Sequence, residues 1–148
     1  PHNDPDARAA FVGMSMDTTR EDMTQAMLEG VAFGLRDSME AAKSTGLTPK
    51  RSKICGGGAK SPLWRKMIAN VMNMKIDRIE SEEGPGYGAA ILAAVGCGVF
   101  SSVEEAAGRL VKITDTEESD PQLAEKYEEK YQKYRKLYPA LKEFYHIE

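Results

Sequence analysis

Three consecutive glycines, Gly56–Gly58, form the stretch of this chain whose residue types are best suited to chemistry. They follow a short segment that we interpret as a buried strand and precede Ser61-Pro62, where serine is a favoured N-cap and proline fits the first helical position. Residues without a Cβ let backbone N–H groups approach a ligand, and a helix N-terminus favours an anion. The pattern predicts a phosphate or nucleotide loop, with an ordinary strand-to-helix turn as the alternative.

Two familiar nucleotide fingerprints differ from this stretch. The dinucleotide pattern G-x-G-x-x-G needs a glycine where Ser61 stands. The P-loop pattern needs a glycine directly before Lys60, and Ala59 is there instead. The residues by themselves therefore leave the class of the loop open.

The other residues that could do chemistry do not indicate a second site. His2 and His146 lie at opposite ends of the chain, without a Cys, Asp or Ser arrangement beside them that would indicate nucleophilic catalysis. Cys55 and Cys97 stand next to glycines and lack the spacing of metal ligands. We therefore assign no catalytic residue and no metal ligand to this chain.

The composition bounds the class of protein. The 148 residues suit one domain, and 20 Lys and Arg against 23 Asp and Glu give a net charge of −3, which argues against a nucleic-acid partner recognised through charge. The longest strongly apolar run, 89–95, is far shorter than the ~20 residues of a membrane helix. Because cysteines are few and no signal peptide is visible, we expect a cytoplasmic protein without a membrane partner. The missing initiator Met predicts that the chain is cut from a longer one.

Helix and strand signals divide the chain into segments. They are an entry loop (1–18), a long helix (19–45), a strand–glycine loop–helix–strand–helix unit (51–98) and C-terminal helices (102–148). The long helix begins at the capping box Thr18–Glu21 and stops at Gly46. Its methionine-rich lane predicts core packing, and a lane of small residues with Gly30 and Gly34 predicts the close approach of another backbone.

Two later helices have distinctive patterns. Residues 87–95 are apolar nearly all round, which predicts a buried helix. The last helix starts at Asp120-Pro121 and carries a tyrosine stripe at helical spacing, and Pro139 must bend or break it. The stripe favours an amphipathic helix strapped across its own domain, with a coiled-coil partner or a base-stacking face as alternatives.

The order of the elements predicts an α/β fold. Helices that alternate with strands imply parallel strands, joined by right-handed crossovers, with helices on both faces. The second strand is expected at Lys75–Ile79. Two strands are few for a stable sheet, so we expect an incomplete sheet in a domain that is mostly helical.

The glycine stretch and the helix after it resemble the adenosine loop of the FGGY carbohydrate kinases. Residues 56–73 carry this similarity, a second family signature is present within 9–29, and the run 84–90 resembles a helix near the end of such kinases. The opening segment, 1–8, is most similar to the xylulose kinases of the family. The resemblance covers residues 1–110 well and the tyrosine helix loosely.

The resemblance implies the C-terminal part of an actin-like, ribonuclease H-like ATPase domain, spanning 1–148 of this chain. The parent would be a two-domain kinase that uses ATP and Mg²⁺ to transfer the γ-phosphoryl group to a sugar hydroxyl, turning D-xylulose into D-xylulose 5-phosphate. The implied nucleotide-binding residues are Gly56, Gly57, Gly58 and Ala59 against the ribose and α-phosphate, and Lys60, Ser61 and Pro62 close to the adenine. Kinases of this type often carry Gln and Asp where this chain has Lys66 and Asn70, so the backbone loop is the firmer part of the implied site.

The same resemblance places the catalytic groups outside this chain. The family's catalytic Asp and the Asp-x-Gly loops for Mg²⁺ are expected upstream of Pro1, and no Asp here is followed one or two positions later by a glycine. We expect the chain alone to phosphorylate no sugar and to form a homo-oligomer through apolar surface left uncovered. A non-catalytic nucleotide-binding module of the same fold is the alternative.

Overall fold

The computed structural model describes residues 2–147, so Pro1 and Glu148, the ends of the predicted entry loop and last helix, lie outside the described residues. In chain order the elements are α1 (Arg20–Lys43), β1 (Arg51–Ile54), a 3₁₀ turn (Gly57–Lys60), α2 (Pro62–Met72), β2 (Lys75–Ile79), α3 (Pro85–Gly96), α4 (Val103–Leu110), β3 (Ile113–Glu117), α5 (Pro121–Tyr134) and α6 (Leu137–Tyr145). They fall into two compact units. The first comprises residues 2–48, 70–73 and 120–147, and the second comprises 49–69 and 74–119.

In the first unit, helix α1 begins one residue later than the sequence pattern indicated. Its N-cap is Thr19, whose hydroxyl accepts the Asp22 N–H at 3.1 Å while the Asp22 carboxylate accepts the Thr19 N–H at 2.9 Å. The hydroxyl of Thr18 instead accepts the Ser15 N–H at 2.9 Å, which fixes the turn before the helix. At the other end Gly46 takes a φ of 92°, which confirms the predicted helix stop.

The tyrosine stripe packs helix α5 on helix α1. The ring of Phe33 lies 5.3 to 6.3 Å from the rings of Tyr127, Tyr131 and Tyr134. Tyr131 is only 2% exposed, and its hydroxyl donates to Asp37 at 2.6 Å. Burial, together with this bond to a carboxylate, raises the pKa of Tyr131. The interpretation of the stripe as an amphipathic helix strapped across its own domain is confirmed for these three tyrosines.

Charged pairs border this aromatic contact. The Lys130 ammonium lies 2.8 Å from the buried carboxylate of Glu29, and the Arg36 guanidinium pairs with Glu128. The Arg36 guanidinium also lies 4.2 Å from the centre of the Tyr131 ring, within cation–π range. Because both ion pairs join α1 to α5, they fix the register of the two helices as well as their contact.

Pro139 marks the break expected in the last helix. Helix α5 ends at Tyr134 and α6 begins at Leu137, so the chain turns two residues before the proline is reached. Pro139 is the third residue of α6, in the first turn, where N–H groups have no intrahelical acceptor and the missing donor costs little.

The apolar lane of α1 is not the face that packs in this chain, contrary to our expectation. Met27, Val31 and Leu35 are exposed, Met27 to 61%. The buried positions of the helix lie on another face, at Glu29, Ala32 and Phe33. An apolar lane indicates a face that is stabilised by being covered, but it does not show which segment covers that face.

The close approach of another backbone, predicted from the small-residue lane of α1, is also wrong. A Cβ built on Gly30 would meet nothing within 4 Å. One built on Gly34 would meet the Tyr134 hydroxyl at 3.6 Å, an ordinary van der Waals contact with a side chain. No second backbone approaches these two glycines among the described residues, so only Gly34 has a packing neighbour to accommodate.

The second unit holds a three-stranded sheet in the order β1-β2-β3. Strands β1 and β2 are parallel, as predicted, with Arg51 opposite Lys75 and Ile54 opposite Arg78. The buried carboxylate of Asp77 receives a hydrogen bond from the Thr116 hydroxyl at 2.7 Å and pairs with the Arg51 guanidinium at 2.5 Å. Burial opposes the charge of Asp77, but these partners outweigh it and hold the pKa of this carboxyl below its ordinary value.

Strand β3 corrects the expectation that residues 102–148 are all helical. It pairs antiparallel with β2, with Ile76 opposite Glu117 and a register shift between Arg78 and Ile79. The sequence Ile-Thr-Asp-Thr-Glu is short and mostly polar, so it lacks the apolar signal of a buried strand. Pairing with a buried carboxylate on β2, through Thr116, supplies a reason for the strand that is invisible in the local sequence.

Helix α3 is less buried than its all-round apolar pattern predicted. It packs against α4, where Ala106 is fully buried, but Ile91 is its one buried residue and Leu92 is exposed. The hydroxyl of Tyr87 donates to the Leu110 carbonyl at 2.7 Å and ties the start of α3 to the end of α4. Among the described residues no helix combines the length and the apolarity that crossing a membrane requires.

The contact of Gly34 with Tyr134 can be tested against the open position of Gly30. Gly34→Leu should lower the free energy of unfolding by about 1–3 kcal/mol, because a branched side chain displaces the tyrosine ring. Gly30→Leu adds the same side chain to the same helix where its Cβ meets nothing within 4 Å, so it should be neutral or slightly stabilising. Urea unfolding of both variants measures the difference, and equal midpoints would contradict the assigned contact.

The entry loop and helix α6 predict a pH-dependent stability. A hydrogen bond from the Tyr138 hydroxyl at 2.8 Å, aided by the Asp6 N–H and by His146, holds the pKa of Asp4 below its ordinary value. A lowered pKa in the folded state stabilises the fold above the ordinary value near 3.9 and is lost as the pH falls through the folded-state pKa.

We therefore expect Asp4→Asn to lower stability at pH 7 and to flatten the decline of stability below about pH 4. Tyr138→Phe removes the largest contribution and should move the pKa of Asp4 back toward its ordinary value. Urea unfolding at several pH values and a carbon NMR titration of Asp4 measure both effects. An unchanged Asp4 titration in Tyr138→Phe would show that the tyrosine does not set this pKa.

Candidate functional site

The glycine loop leaves β1 and enters α2 through a turn that needs glycine at its first position. Gly56 has a φ of 81° and a ψ of −176°, a backbone conformation that residues with a side chain rarely adopt. The 3₁₀ turn then closes with the Ala59 N–H bonded to the Gly56 carbonyl at 3.1 Å and the Ser61 N–H to the Gly58 carbonyl at 3.2 Å. The loop is thus a defined turn, and positive φ is required at Gly56 alone.

Gly57 and Gly58 lie in different surroundings. A Cβ on Gly58 would meet the Trp64 indole at 3.2 Å, so this glycine makes room for a side chain of α2. A Cβ on Gly57 would meet nothing within 4 Å, and both residues are exposed. Because the fold itself gives no reason for a glycine at position 57, the exposed backbone there is the part of the loop best suited to the approach of a ligand.

The end of the loop forms the start of helix α2, as the sequence predicted. The Ser61 hydroxyl accepts the Trp64 N–H at 3.3 Å and the Ser61 carbonyl accepts the Arg65 N–H at 3.1 Å, so Ser61 is the N-cap. Pro62 is the first residue of the helix. The seven candidate residues are therefore contiguous in space, from the turn at Gly56 to the first residue of α2.

The buried Arg65, which the sequence analysis did not identify, forms a hydrogen bond to the backbone of the loop. Arg65 donates from Nη1 to the Ala59 carbonyl at 2.8 Å and from Nη2 to Asp115 at 2.6 Å, with Glu117 at 3.3 Å. Its side chain is 5% exposed. The acceptors on β3 were hidden from the sequence, because they lie about fifty residues further along the chain in a strand that was not predicted.

The turn before α3 borders the loop on another side. The Lys60 ammonium pairs with Glu82 at 2.9 Å, and a Cβ on Gly84 would clash with the sulfur of Cys55. Lys60 therefore has a carboxylate partner, and its charge is partly balanced before any ligand arrives. Both residues of this pair are exposed, so the pair itself is weak and screened by salt.

The two positions that depart from the family pattern are engaged within the protein. The Lys66 ammonium donates to the Glu118 carbonyl at 2.8 Å in the second unit. Asn70 is buried in the first unit, where its side-chain oxygen accepts the Asp120 N–H at 2.8 Å and so fixes the start of α5. These contacts give both side chains a structural role.

The described residues contain one group of side chains close enough to share a metal ion, and it lies in the first unit. In this group Asp4, Asp6 and His146 approach one another, but Nε2 of the imidazole faces Asp4 at 3.1 Å and Nδ1 faces Asp6 at 3.5 Å. The imidazole of His146 therefore bridges the carboxylates of Asp4 and Asp6 through its two ring nitrogens.

The comparison with known proteins decides the family. The C-terminal domain of the FGGY family of carbohydrate kinases matches residues 1–97. The chain belongs to this family. The matched segment contains the whole glycine loop, its flanking strands and helix α3, and the remaining residues hold α4, β3 and the tyrosine helices.

Individual relatives agree with the family and extend over more of the chain. A xylulose kinase from Staphylococcus epidermidis is 35% identical over 143 residues, which are 97% of this chain and 29% of that protein. Two solved structures of xylulose kinases superpose well. The ligand-bound one from Lactobacillus acidophilus has a TM-score of 0.85 at 25% identity over 93% of this chain and 28% of its own, and the one from Rhodospirillum rubrum has 0.83 at 30% over 97% and 29%.

These neighbours confirm the fold class and set the scale of the chain. The actin-like, ribonuclease H-like fold of FGGY kinases is also the fold of this mixed, mostly helical α/β chain with its small open sheet. The chain spans about three tenths of the length of the relatives that it matches.

Gly57→Ala separates ligand approach from folding at the loop. Because the position is open and does not need a positive φ, we expect alanine to leave stability unchanged or raise it by about 0.4–1 kcal/mol. The same methyl group should weaken ADP binding by about 1 kcal/mol, the value of one hydrogen bond. Lys60→Ala serves as the matched control and should have the smaller effect on ADP affinity. Titration with ADP showing the reverse order would indicate a charge site.

Proposed function

We propose that this chain is the nucleotide-binding portion of a carbohydrate kinase that transfers the γ-phosphoryl group of ATP to a sugar hydroxyl. The observation that carries the proposal is the glycine loop between β1 and α2, with open backbone at Gly57, in a chain of the FGGY family. The family supplies the reaction class, and the loop supplies a place in this chain where one end of the nucleotide can bind.

The loop fits the adenosine end of a nucleotide. The loop from Gly56 to Ala59 would lie against the ribose and the α-phosphate, with the exposed backbone of Gly57 and Gly58 facing them. Lys60, Ser61 and Pro62 would lie close to the adenine. Helix α2 directs its N-terminal dipole toward the same end of the loop, which favours a phosphate group there. Bound ATP supplies the phosphoryl group, and these residues of the chain bind and orient it.

The loop does not fit a magnesium ion. Residues 56–62 include no carboxylate, and Glu82, the acidic neighbour of Lys60, is engaged with its ammonium. Mg²⁺ prefers carboxylate and phosphate oxygens and water as ligands. We therefore place the magnesium ligands, and the base that accepts the proton of the sugar hydroxyl, in the part of a full-length kinase that this chain does not match.

The sugar proposed for the full-length kinase is D-xylulose, with D-xylulose 5-phosphate as the product. Support comes from the relatives named xylulose kinase, which match nearly the whole of this chain at about one third identity. Because the sugar would bind in the remaining part of the protein, the assignment rests on this similarity and not on a contact within the chain.

We also propose a cytoplasmic location and a homo-oligomer. Cys55 and Cys97 are both free thiols, as expected in a reducing compartment. The exposed apolar lane at Met27, Val31 and Leu35 is the kind of surface that drives association.

The proposal can be tested with the chain alone and with a chimera. The 148-residue chain should bind ADP with a Kd of roughly 0.1–1 mM, because half a cleft buries little of the ligand. It should release no ADP from ATP in the presence of D-xylulose, since binding one end of ATP does not stabilise a transition state at the other.

The chimera replaces the matching segment of the Staphylococcus epidermidis xylulose kinase with this chain. We expect D-xylulose-dependent ADP formation, reduced when the chimera carries Gly57→Ala. A chimera that folds and binds ADP but phosphorylates no sugar would favour a non-catalytic nucleotide-binding module. D-xylulose-dependent turnover by the chain alone would contradict the placement of the catalytic groups elsewhere.

A further inference from the structure

We propose that Arg65 is a positioning residue that fixes the glycine loop in the conformation that receives the nucleotide. This inference rests on the proposed function, since it assigns to Arg65 a role in nucleotide affinity. Arg65 lies in the first turns of α2, directly after the loop, and its guanidinium is buried beneath the loop. It would act through the backbone of Ala59 and would not touch the nucleotide.

The contacts of Arg65 use the separate nitrogens of a guanidinium. Nη1 donates to the Ala59 carbonyl at 2.8 Å, while Nη2 donates to Asp115 at 2.6 Å and lies 3.3 Å from Glu117. A lysine has a single nitrogen on a flexible stem and cannot reproduce this planar fork. The side chain therefore joins the loop to strand β3 in a way that depends on arginine.

Both polar backbone groups of Ala59 are fixed by this arrangement. Its N–H bonds to the Gly56 carbonyl at 3.1 Å, and its carbonyl accepts from Arg65. The peptide groups of Gly57 and Gly58 lie inside the turn that the Gly56–Ala59 bond closes, and the Ala59 carbonyl held by Arg65 follows directly after that turn. Glycine loses more conformational freedom on ordering than any other residue. A loop already ordered by Arg65 avoids that entropy loss when the ligand binds.

The charges around Arg65 indicate that it orders the loop and does not supply positive charge to the ligand. Two carboxylates, Asp115 and Glu117, balance the guanidinium from the side of β3. Its Nε is buried and has no hydrogen-bond partner among the described residues. A buried polar atom without a partner costs free energy, and such costs are expected at functional sites more than in the rest of a fold. Arg65 therefore contributes little positive charge to a phosphate and much order to the loop.

The test compares Arg65→Lys with Arg51→Lys in the 148-residue chain. Arg51 is the matched control, because its guanidinium also bridges to a carboxylate of the sheet, the buried Asp77, and it is not bonded to the loop. Two quantities are measured by NMR: the hydrogen exchange of the Gly57, Gly58 and Ala59 amides without ligand, and the affinity for ADP by titration. Urea unfolding records the stability of each variant.

We expect Arg65→Lys to speed exchange at the loop amides and to weaken ADP binding about tenfold, the loss of one hydrogen bond from a charged group. Arg51→Lys should lower stability and leave both loop quantities within twofold of the unaltered chain. Equal ADP affinity in Arg65→Lys and the unaltered chain, or equal weakening in both variants, would overturn the positioning role. Absence of ADP binding by the unaltered chain would instead overturn the proposed nucleotide site, and the exchange data alone would then decide whether Arg65 orders the loop.

A second variant covers the case in which Arg65→Lys does not fold. Asp115→Asn keeps an acceptor at a half-exposed position but removes the charge that holds Nη2. It should produce the same two changes to a smaller extent. Hydrogen exchange should increase more at the loop amides than at the amides of β2. An effect confined to the β2 and β3 amides would overturn the proposal, because the link from Asp115 to the loop would then be absent.

Discussion

The second unit depends on the hydrogen bonds and ion pairs that the buried Arg65 guanidinium makes. A charged group this deeply buried is stable only when its partners are in place, so the guanidinium requires the Ala59 carbonyl on one side and the β3 carboxylates on the other. The loop, helix α2 and the antiparallel strand are thus joined at one point. Loss of β3 would leave the buried cation without its carboxylates, and loss of the loop would leave it without the Ala59 carbonyl, so the folding of these segments is coupled.

The same logic governs the buried Asp77 in the sheet. Its carboxylate lies on β2, pairs with Arg51 of β1 and accepts a hydrogen bond from Thr116 of β3, so one charged side chain contacts both neighbours of the central strand. The parallel pair has the apolar support of a buried Ile76, but the antiparallel edge is mostly polar and exposed. For that edge, hydrogen bonds and ion pairs across the sheet supply specificity that apolar burial does not.

The first unit is organised by aromatic packing. Phe33 is surrounded by three tyrosines of α5, and the ion pairs at Glu29 and Arg36 border this contact. The tyrosine hydroxyls need polar partners when they are buried, and Asp37 provides one for Tyr131. The exposed lane of α1 lies outside this packing. The chain spans about three tenths of the length of its relatives.

The local sequence by itself determined the features that depend on neighbouring residues. The stop of α1 at Gly46, the cap at Ser61, strand β2, the break before Pro139 and the glycine turn all follow from backbone preferences of a few adjacent residues. The resemblance of residues 56–73 to FGGY kinases likewise needed no structure. Only the tertiary structure decided which apolar faces are covered, that residues 113–117 form a strand, and that Arg65 lies beneath the loop. These depend on contacts between residues far apart in the chain. The residues next to a side chain do not indicate a partner that lies about fifty residues away.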